Sequence, residues 1–131
     1  IPDEQWIEID HKQFRPYHAA LNVEGYRSYL HTWKNTISST ISYTYNDSGE
    51  EPIPLYITEY EKPFEYNNIQ KVTYEDTMDG IHVIFGNLNN TFQVLQLTKN
   101  DKNVNIEFYK GDINKLKPLF ESIFEDVKNN F

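Results

Sequence analysis

Five hydroxyl side chains alternate with mostly apolar ones in the stretch TISSTISYTY, residues 36–45. Strict alternation in a segment rich in Thr, Ile and Tyr predicts a β-strand, because successive side chains of a strand point to opposite faces of the sheet. The hydroxyls would then form one row, which could bind a sugar or a peptide or could simply face solvent. The row consists of Thr36, Ser38, Thr40, Ser42 and Thr44.

Tyrosines near this row could extend it into an aromatic platform for a sugar or a peptide. The alternative interpretation is that these tyrosines bury one edge in a sheet, as tyrosines in β proteins routinely do. If the platform exists, its candidate ligand-binding residues are Thr40, Ser42, Tyr43, Tyr45, Tyr56 and Tyr60.

Acidic residues between the predicted strands could supply the carboxylate pair that glycoside hydrolases use. The favoured interpretation is different, because charges on exposed strands also block edge-to-edge aggregation. The chain contains no GxSxG, P-loop or GxGxxG motif, so the sequence predicts no catalytic residue and no cofactor. The acidic candidates are Glu59, Glu61, Glu65, Glu75 and Asp76.

Metal ligands are not grouped at any spacing typical of a metal site. The four histidines His11, His18, His31 and His82 form neither HExxH nor HxH, and there is no cysteine. Asn46, Asp47, Ser48, Glu50 and Glu51 make an oxygen-rich loop, but the EF-hand spacing that calcium requires is missing. The sequence therefore predicts no metal site and excludes disulfides.

Composition limits the class of partner. The chain has 131 residues and a formal charge of -8, with 12 basic against 20 acidic residues. An acidic chain without a basic cluster repels phosphate backbones, so the sequence predicts no nucleic-acid partner. A basic protein partner remains compatible with this charge. No apolar run approaches the roughly 18 residues that span a bilayer. The chain begins at Ile1, which would be consistent with a signal or membrane anchor upstream.

Alternating segments separated by turn residues predict an α+β fold, an antiparallel sheet of about six strands with a C-terminal amphipathic helix packed on one face. We expect a single domain over 1–131, with an extended lead-in over 1–21, the sheet over 22–110 and the helix over 112–129. Residues 26–33 fit a strand or a helix; the strand interpretation is favoured, with a turn at Lys34-Asn35. Asp79-Gly80 predicts a hairpin turn.

The predicted helix carries an apolar stripe at three- and four-residue intervals. Pro118 fits this helix if Asn114 is its N-cap, because the first helical N–H groups have no intrahelical partner. The stripe consists of Leu116, Leu119, Phe120, Ile123, Phe124 and Val127.

Residues 22–127 resemble a family of domains of unknown function found outside the membrane in Gram-positive bacteria. The matching parts are Glu24-Gly25-Tyr26, Thr44-Tyr45, Ile57-Thr58-Glu59 and the segment from Leu116 to Ile123. A tryptophan common in the late strand pair of that family is absent, and Leu97 stands near its place. The family occurs at the C-terminal ends of anti-sigma-factor-like membrane proteins and in small lipoproteins. The resemblance implies an extracytoplasmic sensor or interaction domain and supplies no catalytic residues.

Three functions follow in order of preference. The first is a non-enzymatic extracytoplasmic domain, secreted or membrane-anchored, that binds a protein or an envelope component. The second is an acidic inhibitor or immunity-type protein that neutralises a basic enzyme, since complementary charge steers such association. The third is a hydrolase with a carboxylate pair. The sequence predicts neither the partner's identity nor the oligomeric state.

Overall fold

The structure is a computed structural model that describes residues 6–9, 31–35, 40–46, 53–60 and 69–131. This part of the chain forms eight strands and one C-terminal α-helix. The α+β class and the antiparallel sheet are confirmed, but the sheet has eight strands rather than about six. The strands are β1 (Trp6–Ile9), β2 (His31–Asn35), β3 (Ile41–Asn46), β4 (Pro54–Tyr60), β5 (Lys71–Met78), β6 (Ile81–Asn87), β7 (Phe92–Lys99) and β8 (Lys102–Tyr109), followed by a 3-10 turn (Lys110–Asp112) and helix α1 (Ile113–Asn130).

Strand β1 lies inside the segment 1–21 that the sequence predicted as a lead-in, so the sheet does not begin at residue 22. Four residues are too short for alternation to be recognised in a sequence. What makes them a strand is antiparallel pairing with β2, from Trp6 opposite Asn35 to Ile9 opposite Thr32.

The turn predicted at Lys34-Asn35 was wrong. Both residues belong to β2, because pairing with β1 on one side and β3 on the other continues the ladder through them. The backbone N–H of Asn35 donates to the carbonyl of Thr40 over 2.8 Å, and β3 begins one residue later. Residues 26–30 and 36–39 of these predicted strands lie outside the described ranges.

The strand order is β1-β2-β3-β4-β8-β7-β6-β5, and every neighbouring pair is antiparallel. The last strand in the chain, β8, therefore lies in the middle of the sheet, where Ile106 pairs with Ile57 of β4 and with Leu95 of β7. Strands β1 and β5 form the two edges. The predicted hairpin turn at Asp79-Gly80 is confirmed; both residues have positive φ, 53° and 78°.

Helix α1 covers one face of the sheet, called here the helix face; the other is called the opposite face. The buried apolar residues of α1 are Leu116, Leu119, Ile123 and Val127. They share one core with strand residues from both halves of the sheet, namely Tyr43, Tyr45, Leu55, Ile57, Ile81, Val83, Leu97, Val104, Ile106 and Phe108.

The start of α1 differs from the sequence prediction. Its N-cap is Asp112, and Asn114 lies inside the helix. Pro118 is therefore the sixth helical residue, beyond the first four, and its missing N–H removes one intrahelical bond. The fully buried stripe on either side of Pro118 holds the helix on the sheet despite this loss.

Tyr45 gives the core a specific sensitivity to high pH. Its side chain is fully buried; burial raises its pKa, and the charge of Glu59 raises it further. Above about pH 10 the unfolded chain loses the phenolic proton while the folded chain retains it. Stability is therefore complete below pH 10 and falls above it by up to about 1.4 kcal/mol per pH unit. We expect Tyr45→Phe to flatten this decline in urea denaturation between pH 9 and 11.5; parallel curves for the two proteins would contradict it.

Candidate functional site

The hydroxyl row does not form one solvated surface. In β3, Tyr43 and Tyr45 point into the core on the helix face, whereas Ser42 and Thr44 are half-buried on the opposite face. Thr40, just before β3, is buried with 4% of its surface exposed. Thr36 and Ser38 lie outside the described residues. The row is therefore partly covered.

The six candidate ligand-binding residues separate in the same way. Tyr56 and Tyr60 of β4 lie on the opposite face with Ser42, and Tyr56 is directly paired with Thr44. Tyr43 and Tyr45, with no exposed surface, stabilise the core and cannot stack on a ligand in solution. The structure brings together only Ser42, Tyr56 and Tyr60, so the sequence hypothesis of a six-residue platform does not describe one surface.

A substitution of Ser42 tests whether side chains of the hydroxyl row can be replaced without loss of stability. Its side chain is half-buried on the opposite face, and a lysine there can place its stem on the sheet and its ammonium group in water. We expect Ser42→Lys to change the free energy of unfolding by less than about 1 kcal/mol. Thr40→Lys should cost more in the same denaturation experiment, because Thr40 is buried. Equal losses would show that both positions have the same environment.

The acidic candidates that lie in the described ranges are not brought together as a glycosidase-like carboxylate pair. Glu59 is 3% exposed on the helix face of β4, and Glu75 is exposed on the opposite face of β5. Four strand spacings separate β4 from β5, a distance of roughly 19 Å, whereas glycosidase carboxylates lie about 5–10 Å apart. Asp76 points to the face away from Glu75. Glu61 and Glu65 lie outside the described residues.

Two histidines each contact a glutamate across the boundary between an edge strand and its neighbour. His31 Nδ1 lies 2.8 Å from Glu8 Oε1, and His82 Nε2 lies 2.8 Å from Glu75 Oε2. Among the residues that the structure describes, no three His, Asp or Glu side chains meet as a metal site. The remaining metal candidates, His11, His18 and residues 47–51 of the oxygen-rich loop, lie outside that part of the chain.

An apolar groove runs between α1 and the end of the sheet that contains β5; we call it the helix–sheet groove. Its volume is about 550 Å³. In the part of the chain that the structure describes, six apolar side chains from β5, β6, β7 and α1 line it, and three carboxylates stand among them. The lining residues are Met78, Asp79, Val83, Leu95, Leu97, Phe120, Glu121, Phe124 and Glu125.

The groove exists because the sheet is wider than the helix. A helix about 10 Å across covers two or three strands at a spacing of about 4.8 Å. Phe120 packs on Phe108 of the central strand β8, with ring centroids 5.0 Å apart. All eight residues of β5, at the edge, are exposed.

Met78 forms the outer wall of the groove, and Tyr74 stands next to it on the helix face of β5; the two side chains are 40% and 45% exposed. The Tyr74 hydroxyl lies 3.8 Å from the Met78 sulfur and 3.3 Å from a carboxylate oxygen of Asp76. These contacts hold two large apolar side chains side by side in water. Exposed apolar residues grouped in this way are typical of interaction surfaces.

The rim of the groove is acidic. Glu121 and Glu125 stand one turn apart on α1, and Asp79 lies in the β5–β6 turn. Lys128 crosses one end, with its Nζ 3.8 Å from Asp79 Oδ2. Among the described residues, no basic side chain lines the groove, so the potential of this lining favours cations.

No protein-family model, curated protein or solved structure matches this chain.

In the described ranges, no helix combines the length and the apolar character needed to cross a membrane.

The outer edge of β5 is partly blocked against pairing with another strand. Met78 and Ile81 close the two-residue turn, so the backbone N–H of the preceding Thr77 points away from β6. That N–H donates over 2.7 Å to Asp76 Oδ1. A β-bulge between Val72 and Tyr74 interrupts the ladder further along. Both devices protect edge strands, so the groove offers side-chain contacts rather than backbone pairing.

Sequence reasoning missed the groove entirely. Its residues come from four elements, and only the fold brings Met78, Leu97 and Phe124 together. One local signal was present in the sequence: Tyr74 and Met78 sit at even spacing in β5, but Asp76 between them interrupts the apolar alternation.

Proposed function

We propose that this protein is a non-enzymatic interaction domain whose helix–sheet groove holds an apolar segment of a polypeptide partner. The observation that carries the proposal is the apolar lining beside α1 that is not fully covered: Leu95, Phe120 and Phe124 are half-buried, Met78 is 40% exposed, and Tyr74 beside it is 45% exposed. Leaving such side chains in water has a free-energy cost that burial against a partner would remove. The family resemblance adds the proposal that the domain works outside the membrane.

A second candidate is an acidic inhibitor that neutralises a basic enzyme. It is supported by the net charge of -8 and by the carboxylates on the groove rim. This candidate differs in what binding does, because it requires a purified basic enzyme to lose activity in the complex. Binding of isolated apolar peptides does not require that result.

Met78 provides a direct test, because it is the only methionine in the chain. Protein labelled with ¹³C in the methionine methyl group gives one methionine resonance, which reports on the groove. Random 16-residue peptides would be selected by display on the immobilised protein, and the enriched peptides titrated into the labelled protein. We expect saturable shifts of the Met78 resonance. Enriched peptides that leave it unmoved, or a failure to enrich any peptide, would contradict the proposal.

A matched control is available on the same strand. Val72 is 48% exposed and pairs with Gly86, on the opposite face from Met78. Val72→Met adds a second methyl reporter outside the groove. Groove binding should move the Met78 resonance and leave the new one in place; equal movement of both would indicate nonspecific association.

A further inference from the structure

We propose that the occupant of the helix–sheet groove is a basic amphipathic α-helix, an inference that rests on the proposed function and specifies its partner. Three properties of the groove point to this class: its position beside α1, its partly blocked strand edge and the arrangement of its carboxylates.

The position of the groove suits a helix. One wall is α1, through Phe120 and Phe124, and the floor is the sheet surface at Val83, Leu95 and Leu97. A second helix packed beside α1 would lie about 8–10 Å from its axis, over the strands that α1 leaves uncovered. Such a helix would continue the existing layer of α1 on the sheet, and its apolar stripe would cover Met78 and Tyr74.

The partly blocked edge disfavours an extended strand. The carboxylate of Asp76 accepts a hydrogen bond from the outward N–H of Thr77 over 2.7 Å, and a bulge between Val72 and Tyr74 interrupts the ladder further along the edge. An added strand needs those backbone groups, because main-chain hydrogen bonds supply most of its affinity. A helix satisfies its own backbone and needs only side-chain contacts.

The carboxylates of the groove lie along α1 and at the β5–β6 turn. Glu121 and Glu125 face the groove from α1, and Asp79 faces it from the β5–β6 turn. A helix with one apolar stripe flanked by lysine or arginine would place basic side chains beside Glu121 and Glu125 along α1 and near Asp79, which Lys128 already contacts at 3.8 Å. The overall charge of -8 would speed its approach and repel an acidic competitor.

Defined peptides test this class directly. The probe is an 18-residue peptide with leucine at positions i, i+3, i+4 and i+7 and lysine on the flanks of that stripe. Its comparators are the same helix with glutamate for lysine, a peptide of identical composition with leucine and lysine in strict alternation, and the all-D form of the probe. We expect the lysine helix to move the Met78 resonance with at least tenfold tighter binding than any comparator.

The rim carboxylates supply the second arm. The double variant Glu121→Gln and Glu125→Gln should weaken binding of the lysine helix three- to tenfold. The control variant Asp101→Asn and Glu107→Gln removes the same charge away from the groove lining, and we expect less than a twofold effect. Equal losses in both variants would show attraction to net charge alone and overturn the inference. Melting temperatures of both variants check that they remain folded.

The outcomes separate the two proposals. Tighter binding by the alternating peptide, by the glutamate helix or by the all-D peptide would overturn the helix inference. If display-selected peptides move the Met78 resonance and the lysine helix does not, the inference fails while the proposed function stands. If no peptide moves that resonance, both fail.

Discussion

Replacing Ile123 with alanine is expected to lower the free energy of unfolding by about 2–5 kcal/mol. Ile123 has no exposed surface and lies at the middle of the buried stripe of α1. Truncation removes apolar contacts and leaves a cavity between the helix and the sheet. The hydrogen-bonded sheet relaxes only partly into such a cavity, so most of the lost contact energy is not recovered. Urea denaturation followed by circular dichroism measures the loss as a lower midpoint at unchanged slope.

The matched control lies on the same helix. Glu121 is exposed, so Glu121→Ala should stay within about 0.5 kcal/mol of the wild type. An unchanged midpoint for Ile123→Ala would mean that α1 does not belong to the core. Phe120→Ala is expected to cost less than the full 3–5 kcal/mol typical of buried phenylalanine, because Phe120 is only partly buried and lines the groove.

Replacing Gly86 with alanine is expected to cost about 1–3 kcal/mol, the range typical of overpacked sites. Gly86 lies in β6 where the bulged part of β5 crosses closely. An added Cβ would meet the Lys71 carbonyl oxygen and the Ile69 Cγ2 atom, each at 2.6 Å. The carbonyl belongs to the backbone, so β5 itself would have to move away from β6.

Thermal or urea denaturation of Gly86→Ala measures this cost, with Val72→Ala as the control on the adjacent strand. Val72 is 48% exposed, so its truncation should have a small effect. Since β5 forms the outer wall of the groove, Gly86→Ala should also shift the Met78 methyl resonance without any ligand. If Gly86→Ala has the stability of the wild type, β5 can move away from β6 without lowering the free energy of unfolding, and the prediction is wrong.

The sequence predicted those features of the fold that depend only on residues close together in the chain. The stripe of α1 and the Asp79-Gly80 turn are visible within a few residues, and both are confirmed. Strand β1 could not be predicted, because only its pairing with β2 makes it a strand. The neighbours of β8 could not be predicted either. The alternation of Val104, Ile106 and Phe108 shows which side chains share a face, but it does not show which strands lie beside β8.

The candidate site was less predictable than the fold. Sequence reasoning placed ligand contacts on Tyr43 and Tyr45 because tyrosine suits both binding and burial, and composition cannot separate the two roles. In the structure both tyrosines are core residues, because β3 pairs with β4 and α1 covers the face to which they point. The groove depends on the width of the sheet relative to one helix, which is a property of the assembled fold.

The central place of β8 has a consequence for synthesis of the chain on the ribosome. Strand β4 ends at Tyr60 and its partner β8 begins at Lys102, so 42 further residues must be added after β4 is complete. At about 5–20 residues per second this takes roughly 2–8 seconds, during which one edge of PLYITEY has no native partner. Such β-prone segments invite aggregation, and the proline and glutamate within β4 oppose it. Yield of soluble protein from cells should therefore respond to β4 sequence changes at half-buried positions, such as Thr58→Val, more strongly than the stability of the finished protein does.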